Sequence, residues 1–121
     1  MIVLKNAWFS RFARKEKISS KALLQAVIQV QKGVIDADLG GGVIKQRIAG
    51  PGRGKSAGYR SILLFRQNER CFFIYGDAKS DMANISDQEE RAFKLMASHV
   101  LNLTGAQLNA LIANGAFEEV T

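Results

Sequence analysis

The stretch Val43-Ile-Lys-Gln-Arg-Ile-Ala49, followed by Tyr59-Arg-Ser-Ile-Leu-Leu-Phe-Arg66 and Cys71-Phe-Phe-Ile-Tyr75, decides the fold. In the first run Ile44, Gln46 and Ile48 fall on one side and Val43, Lys45 and Arg47 on the other, the period of two that a strand imposes. The second and third runs are strongly apolar and rich in β-branched and aromatic residues, which suit a pleated, buried surface. Asn68-Glu69 supplies a turn between them, and Gly50-Pro-Gly-Arg-Gly-Lys-Ser-Ala57 supplies a longer hairpin-like loop. Three adjacent runs joined this way read as an antiparallel meander.

Upstream of the meander the period is helical. Ile2 to Leu4 is a short apolar run, read as a first strand. Asn6 can cap a helix over Ala7 to Lys15, because its side chain accepts from a backbone N–H that has no partner within the helix. Trp8, Phe12 and Phe9 form the expected buried stripe. Ser19 or Ser20 caps a second helix with Leu23, Val27, Val30 and Val34 at a three-and-four repeat, and Gly33 stops it. Asp36-Ala-Asp-Leu-Gly-Gly-Gly42 reads as a loop. Downstream of the meander, Ser86 with Glu89 makes a capping box for a helix whose inner face is Phe93, Met96, Ala97, Val100 and Leu101. Thr104 caps a last helix to about Ala113, with Leu108, Leu111 and Ile112 on its apolar side and Gly115 ending it. The expected order is β-α-α-β-β-β-α-α, an α+β fold with an antiparallel sheet and its helices on one side. No repeat or linker divides residues 1–121, so a single domain is expected.

Composition narrows the chemistry. The 121 residues are 47% hydrophobic, enough for a core. Lys and Arg number 17 against 11 Asp and Glu, a net charge of +6, with one Cys and one His. That inventory excludes a disulfide framework, a cysteine-based zinc site and a two-histidine acid/base pair. No apolar run approaches the ~18 residues of a membrane span, and the opening Met1-Ile-Val-Leu-Lys5 is charged too early for a secretion signal. A cytoplasmic protein without cofactor or membrane partner is expected. Charge is uneven: net +10 over Met1 to Lys79, net −4 over Ser80 to Thr121. Acidic partners follow, either nucleic acid or acidic protein.

Ala49-Gly-Pro-Gly-Arg-Gly-Lys-Ser56 nearly spells a phosphate-binding P-loop. It has Ala49 where the first glycine belongs, and a strand follows where a helix is required. A basic hairpin loop is the better reading, with Arg53 and Lys55 available to a phosphate backbone. Between Lys45 and Arg60 stand five cations and no acid. Lys45 and Arg47 share a strand face, and Arg60 sits on the next strand. Like charges on one rigid sheet repel, so either the face is simply solvated or an anion neutralises it. Lys79, in Gly76-Asp-Ala-Lys-Ser80, can join this face if the chain curls back, and Asp77 can pair with a cation there. Tyr59 and Tyr75 are open between packing, base stacking and phosphate contact. His99 reads as a partly exposed helix residue and Cys71 as core.

Taken together, Lys5-Asn-Ala-Trp-Phe-Ser-Arg-Phe-Ala-Arg-Lys15, Ile35 to Ile48, Gly58-Tyr-Arg60, Phe73-Ile-Tyr-Gly76, Ala78-Lys-Ser80 and Ala83-Asn-Ile85 resemble the RelE-type toxins of bacterial type II toxin–antitoxin systems, in the HigB-like subgroup of the RelE/ParE superfamily. The resemblance spans a core of about residues 3–100, with the helix at about 104–113 as an addition. It implies an endoribonuclease (mRNA interferase) that cuts mRNA in the ribosomal A site without metal and arrests translation and growth. It also implies a cognate helix-turn-helix antitoxin, through which alone operator DNA is bound. By position it assigns catalysis to Lys45, Arg47, Arg60 and Lys79, with RNA contacts from Arg53, Lys55 and Tyr59. Asp77 stands where the subgroup commonly has an aromatic residue, and Ala83-Asn-Ile85 replaces a tyrosine of some relatives.

RNA carries its own nucleophile, the 2′-OH, so cations complementary to the phosphorane can do much of the work. On that scheme Arg60 clamps the phosphate with its planar fork. Lys45 or Arg47 takes the 2′-OH proton or holds the phosphate, and Lys79 protonates the leaving oxygen. The alternatives are a non-catalytic RNA- or protein-binding module and a gyrase-directed toxin on the same fold.

Overall fold

The computed structural model describes residues 1–50, 58–78 and 85–121. In chain order these form β1 (Ile2–Asn6), α1 (Ala7–Glu16), α2 (Ser20–Gln31), β2 (Ala37–Gly40), β3 (Val43–Ile48), β4 (Tyr59–Arg66), β5 (Arg70–Asp77), α3 (Asp87–Val100), α4 (Gly105–Ala113) and β6 (Phe117–Glu119). The caps expected from sequence are in place. Asn6 accepts from the Phe9 N–H at 2.8 Å, and Ser19 accepts from Ala22 at 3.1 Å. Ser86 with Glu89 and Thr104 with Gln107 close reciprocal capping boxes. α2 ends at Gln31, and Gly33 follows at φ +83, the left-handed turn that glycine permits.

The sheet runs β2-β3-β4-β5-β1-β6. β3, β4 and β5 form the expected antiparallel meander. The sheet as a whole is mixed, however, because β1 lies parallel to β5 with Ile2 beside Arg70 and Lys5 beside Phe73. The α1–α2 hairpin and the strands after it form the crossover that a parallel pair requires. Two edge strands were also not foreseen. β2 forms inside the stretch read as a loop, pairing Ala37 with Lys45 before Gly41 and Gly42 turn the chain at positive φ. β6 pairs antiparallel with β1 through Phe117 to Glu119.

Helices cover both faces of the sheet rather than one. α1 and α2 bury Phe9, Ala13, Leu23, Ala26, Val27 and Val30 against Ile44, Ile48, Leu63, Cys71 and Phe73. α3 and α4 bury Ala97, Val100 and Leu108 against Val43, Ile62, Leu64, Phe72 and Ile74. The reason is visible in β4 and β5. Ile62-Leu-Leu64 and Cys71-Phe-Phe-Ile74 are apolar at consecutive positions and all at most 5% exposed, so both faces of these central strands require cover. On α1 the anchor is Phe9, fully buried, while Trp8 is 38% exposed at the rim. Met96 on α3 also faces outward.

Two arginines fasten the far end of α3. Arg66 donates to the Leu101 carbonyl and to Asn102 Oδ1, and Arg70 donates to the carbonyls of Val100 and Leu103 at 3.1 and 2.9 Å. These positive groups satisfy carbonyls at a helix C-terminus, where the backbone dipole favours them. They are structural cations, already committed.

Candidate functional site

β3 is held flat by its neighbours on either side. The Gln46 side chain points into the α1–α2 side, where its Nε2 donates to the Val34 carbonyl at 3.0 Å and its Oε1 accepts from the Asp36 N–H at 3.2 Å. The Asp36 carboxylate in turn accepts from the Arg47 backbone N–H at 2.6 Å. On the other side, Ser61 Oγ donates to the Gln46 carbonyl at 2.8 Å in a buried position. Residues that alternate with Gln46 therefore project to the opposite face with little freedom of backbone.

Those residues are Lys45 and Arg47. Arg47 stands directly opposite Arg60 on β4, and Arg60 stands directly opposite Asp77 on β5. Lys45 heads the neighbouring row, opposite Ile62, which is itself opposite Tyr75. Directly paired residues of an antiparallel ladder share a face with Cβ atoms about 5 Å apart. Arg47, Arg60 and Asp77 thus form one line across three strands, roughly 10 Å from end to end at the strand spacing. All four charged groups are half-buried. The line lies on the α3 side of the sheet, since Lys45 and Arg47 stand two and four residues along from Val43 and Arg60 two from Ile62, on the face that packs under α3 and α4.

Among the described residues, Lys45, Arg47 and Arg60 take part in no salt bridge, unlike Lys5 with Glu118 or Lys94 with Glu90. The Arg47 Nε is buried and has no hydrogen-bond partner among them. A guanidinium donor in that state is uncommon, and it keeps its capacity for an acceptor. On the other, α2 side of the sheet the end of β3 borders a cleft of about 490 Å³, lined by Ala22, Gln25, Ala26, Gln29, Arg47 and Ala49.

Of the residues assigned from sequence, the structure brings Lys45, Arg47 and Arg60 together. Lys79, Arg53 and Lys55 lie outside the described residues. Tyr59 is placed on the opposite face. It pairs with Ile48, is 5% exposed, meets Phe12 edge-on at 5.9 Å, and its hydroxyl donates to the Glu16 carbonyl at 3.2 Å. The expectation of an RNA contact from Tyr59 is therefore not carried forward. Tyr59→Phe is expected to cost about 1 kcal/mol of stability, the usual worth of a hydroxyl hydrogen bond. Urea melts of the variant check it.

Two features at this end of the sheet carried weaker sequence signals. Asp77 joins the cation line, a placement that strand parity after Tyr75 implies. Gly76 faces the other way, where a Cβ would come within 2.5 Å of the Phe12 ring. Tyr75, 37% exposed, stacks on Trp8 at 4.7 Å and approaches Phe93 of α3 at 6.4 Å. Nothing in the helical period of α1 marks Trp8 as a rim residue. Cys71 is fully buried and burial pushes its thiol far above the usual range, so it offers no thiolate nucleophile.

Comparison with protein families matches residues 1–120 to the RelE toxin of the RelE/RelB toxin-antitoxin system. The chain belongs to the RelE toxin family. A search of curated proteins finds no match. The RelE match covers every strand and helix from β1 to β6. Membership makes this a toxin of a toxin–antitoxin pair and implies an antitoxin partner. Among the described residues of this RelE protein, no helix is long and apolar enough to cross a membrane.

Proposed function

We propose that this RelE family toxin is a metal-independent endoribonuclease that cleaves mRNA in the ribosomal A site and arrests translation. The observation that carries the reading is the line of cations that make no salt bridge among the described residues, with Arg47 and Arg60 directly paired, Lys45 beside them, and a buried Arg47 Nε that lacks an acceptor among those residues. Holding like charges together on a rigid sheet is unfavourable until an anion arrives. A phosphodiester passing to a phosphorane gains negative charge, so the same array holds the transition state more strongly than the substrate.

In this reading Arg60 grips the non-bridging oxygens through its planar fork. Arg47 supplies a second set of donors, and Lys45 adds charge along the RNA backbone. Lys79, assigned by resemblance, is the proposed proton donor to the leaving 5′-oxygen. Arg53 and Lys55 are proposed RNA contacts from the basic loop. The proposed partner is a helix-turn-helix antitoxin encoded beside the toxin, as in the HigB-like subgroup, acting in the cytoplasm of a bacterial cell.

Attack by the 2′-OH fixes the products. Primer extension on cellular mRNA after induction should show discrete cuts within codons, leaving 2′,3′-cyclic phosphate and 5′-OH ends, with cleavage undiminished by EDTA. Ends bearing 5′-phosphate, or cleavage abolished by the chelator, would overturn the proposal. Growth arrest with no cuts and with DNA-damage signalling would point instead to gyrase.

A further inference from the structure

The cation line explains how a phosphate is held but leaves the first proton transfer without an acceptor. Arginine stays protonated in proteins, and a lysine accepts a proton only after losing its own. The third member of the line is of the other sign. Asp77 stands directly opposite Arg60, with Arg47 on the far side of Arg60, so a phosphate in the Arg60 fork lies against an acid on one flank and a cation on the other. Parity is firm at this point, because Gly76 turns its Cα toward Phe12 on the opposite face and so sends Asp77 to the cation face. Asp77 is half-buried, and the cross-strand spacing of about 5 Å is within reach of a ribose 2′-OH on a phosphate gripped by Arg60.

We infer that Asp77 is the general base that removes the 2′-OH proton; the inference deepens the nuclease reading and rests on it. The step balances as follows. The 2′-OH proton passes to the Asp77 carboxylate as the O2′–P bond forms. The P–O5′ bond breaks, and its electron pair takes a proton from the Lys45 ammonium on the same face. The products are a 2′,3′-cyclic phosphate and a 5′-OH, and both side chains return to their starting states by exchange with water. The same carboxylate repels the RNA backbone, so it weakens binding while it speeds chemistry.

That opposition supplies the test. Asp77→Asn keeps the shape and removes both the base and the charge. Single-turnover cleavage of mRNA on programmed ribosomes should fall about 10²-fold, within the range for a positioned base. Affinity for an uncleavable 2′-deoxy oligonucleotide should stay the same or tighten. Asp77→Glu should recover part of the rate. Thermal melting of both variants shows that the fold survives, and Asp77→Ser replaces Asn if that variant does not fold. Cleavage by Asp77→Asn at or above the wild-type rate would overturn the inference and leave the nuclease reading standing, with Asp77 a brake on binding. A wild-type protein that cuts no RNA, whose affinity for the oligonucleotide is also unmoved by Arg60→Ala, would remove the nuclease reading and this inference with it.

Discussion

On the proposed nuclease mechanism, Arg60→Ala is expected to lower RNA cleavage by about 10²–10³-fold, the range for loss of one preorganised donor to a developing oxyanion. The fold should survive. Arg60 makes no salt bridge with a described residue, and its strand is held by neighbours on both sides through the β3 and β5 ladders. In this it differs from Arg66 on the same strand, whose guanidinium fastens the C-terminal end of α3. Arg66→Ala should therefore cost stability with little effect on chemistry per folded molecule, and Arg60→Ala the reverse. Induction of each variant in cells, with growth curves and a melting curve of the purified protein, separates the two. Growth arrest by Arg60→Ala equal to that of the unaltered toxin, at matched protein level, would take Arg60 out of the site.

Phe73→Ala should have the largest effect on stability, a loss of about 3–5 kcal/mol. Phe73 is fully buried at the centre of β5, between Leu63 of β4 and Lys5 of β1, and its ring lies 5.1 Å from that of Phe9 on α1. Removing it empties the contact that seats α1 on the sheet. Against a typical domain stability of about 5–15 kcal/mol this is a large fraction, and many molecules would be unfolded at 37 °C. Urea unfolding measures it directly. A shift under about 1 kcal/mol would mean that the α1 side of the core collapses to fill the space, and that Phe9 and Phe73 are not its keystone.

What could be read from the sequence was local chemistry. Asn6, Ser19, Ser86 and Thr104 mark helix starts because each side chain satisfies a nearby N–H, and the structure shows all four doing so. The meander was legible because alternation and short links suffice to define it. The parallel partnership of β1 with β5 was not, since no local property of Ile2 to Asn6 names a partner some seventy residues away. β2 was hidden by its own glycines, which look like a loop even where Ala37 and Asp38 hold ladder positions on β3. Cover on both faces was implied by the unbroken apolar runs of β4 and β5, a signal stronger than the helix count that suggested one side.

The shared face of Lys45, Arg47 and Arg60 followed from parity and adjacency. Tyr59 was misplaced although parity was available: as the immediate neighbour of Arg60 it must point away from the face that Arg60 occupies. The unsatisfied Arg47 Nε could not be inferred from sequence, because it depends on what surrounds the side chain in space.

The place of β1 between β5 and β6 has a consequence for biosynthesis. β1 has no strand partner until β5 has been made, and the Val120 N–H donates to the Val3 carbonyl across more than a hundred residues of chain. Contacts of such long span form late. The β1 edge of the sheet is therefore completed only after the meander that carries Lys45, Arg47 and Arg60.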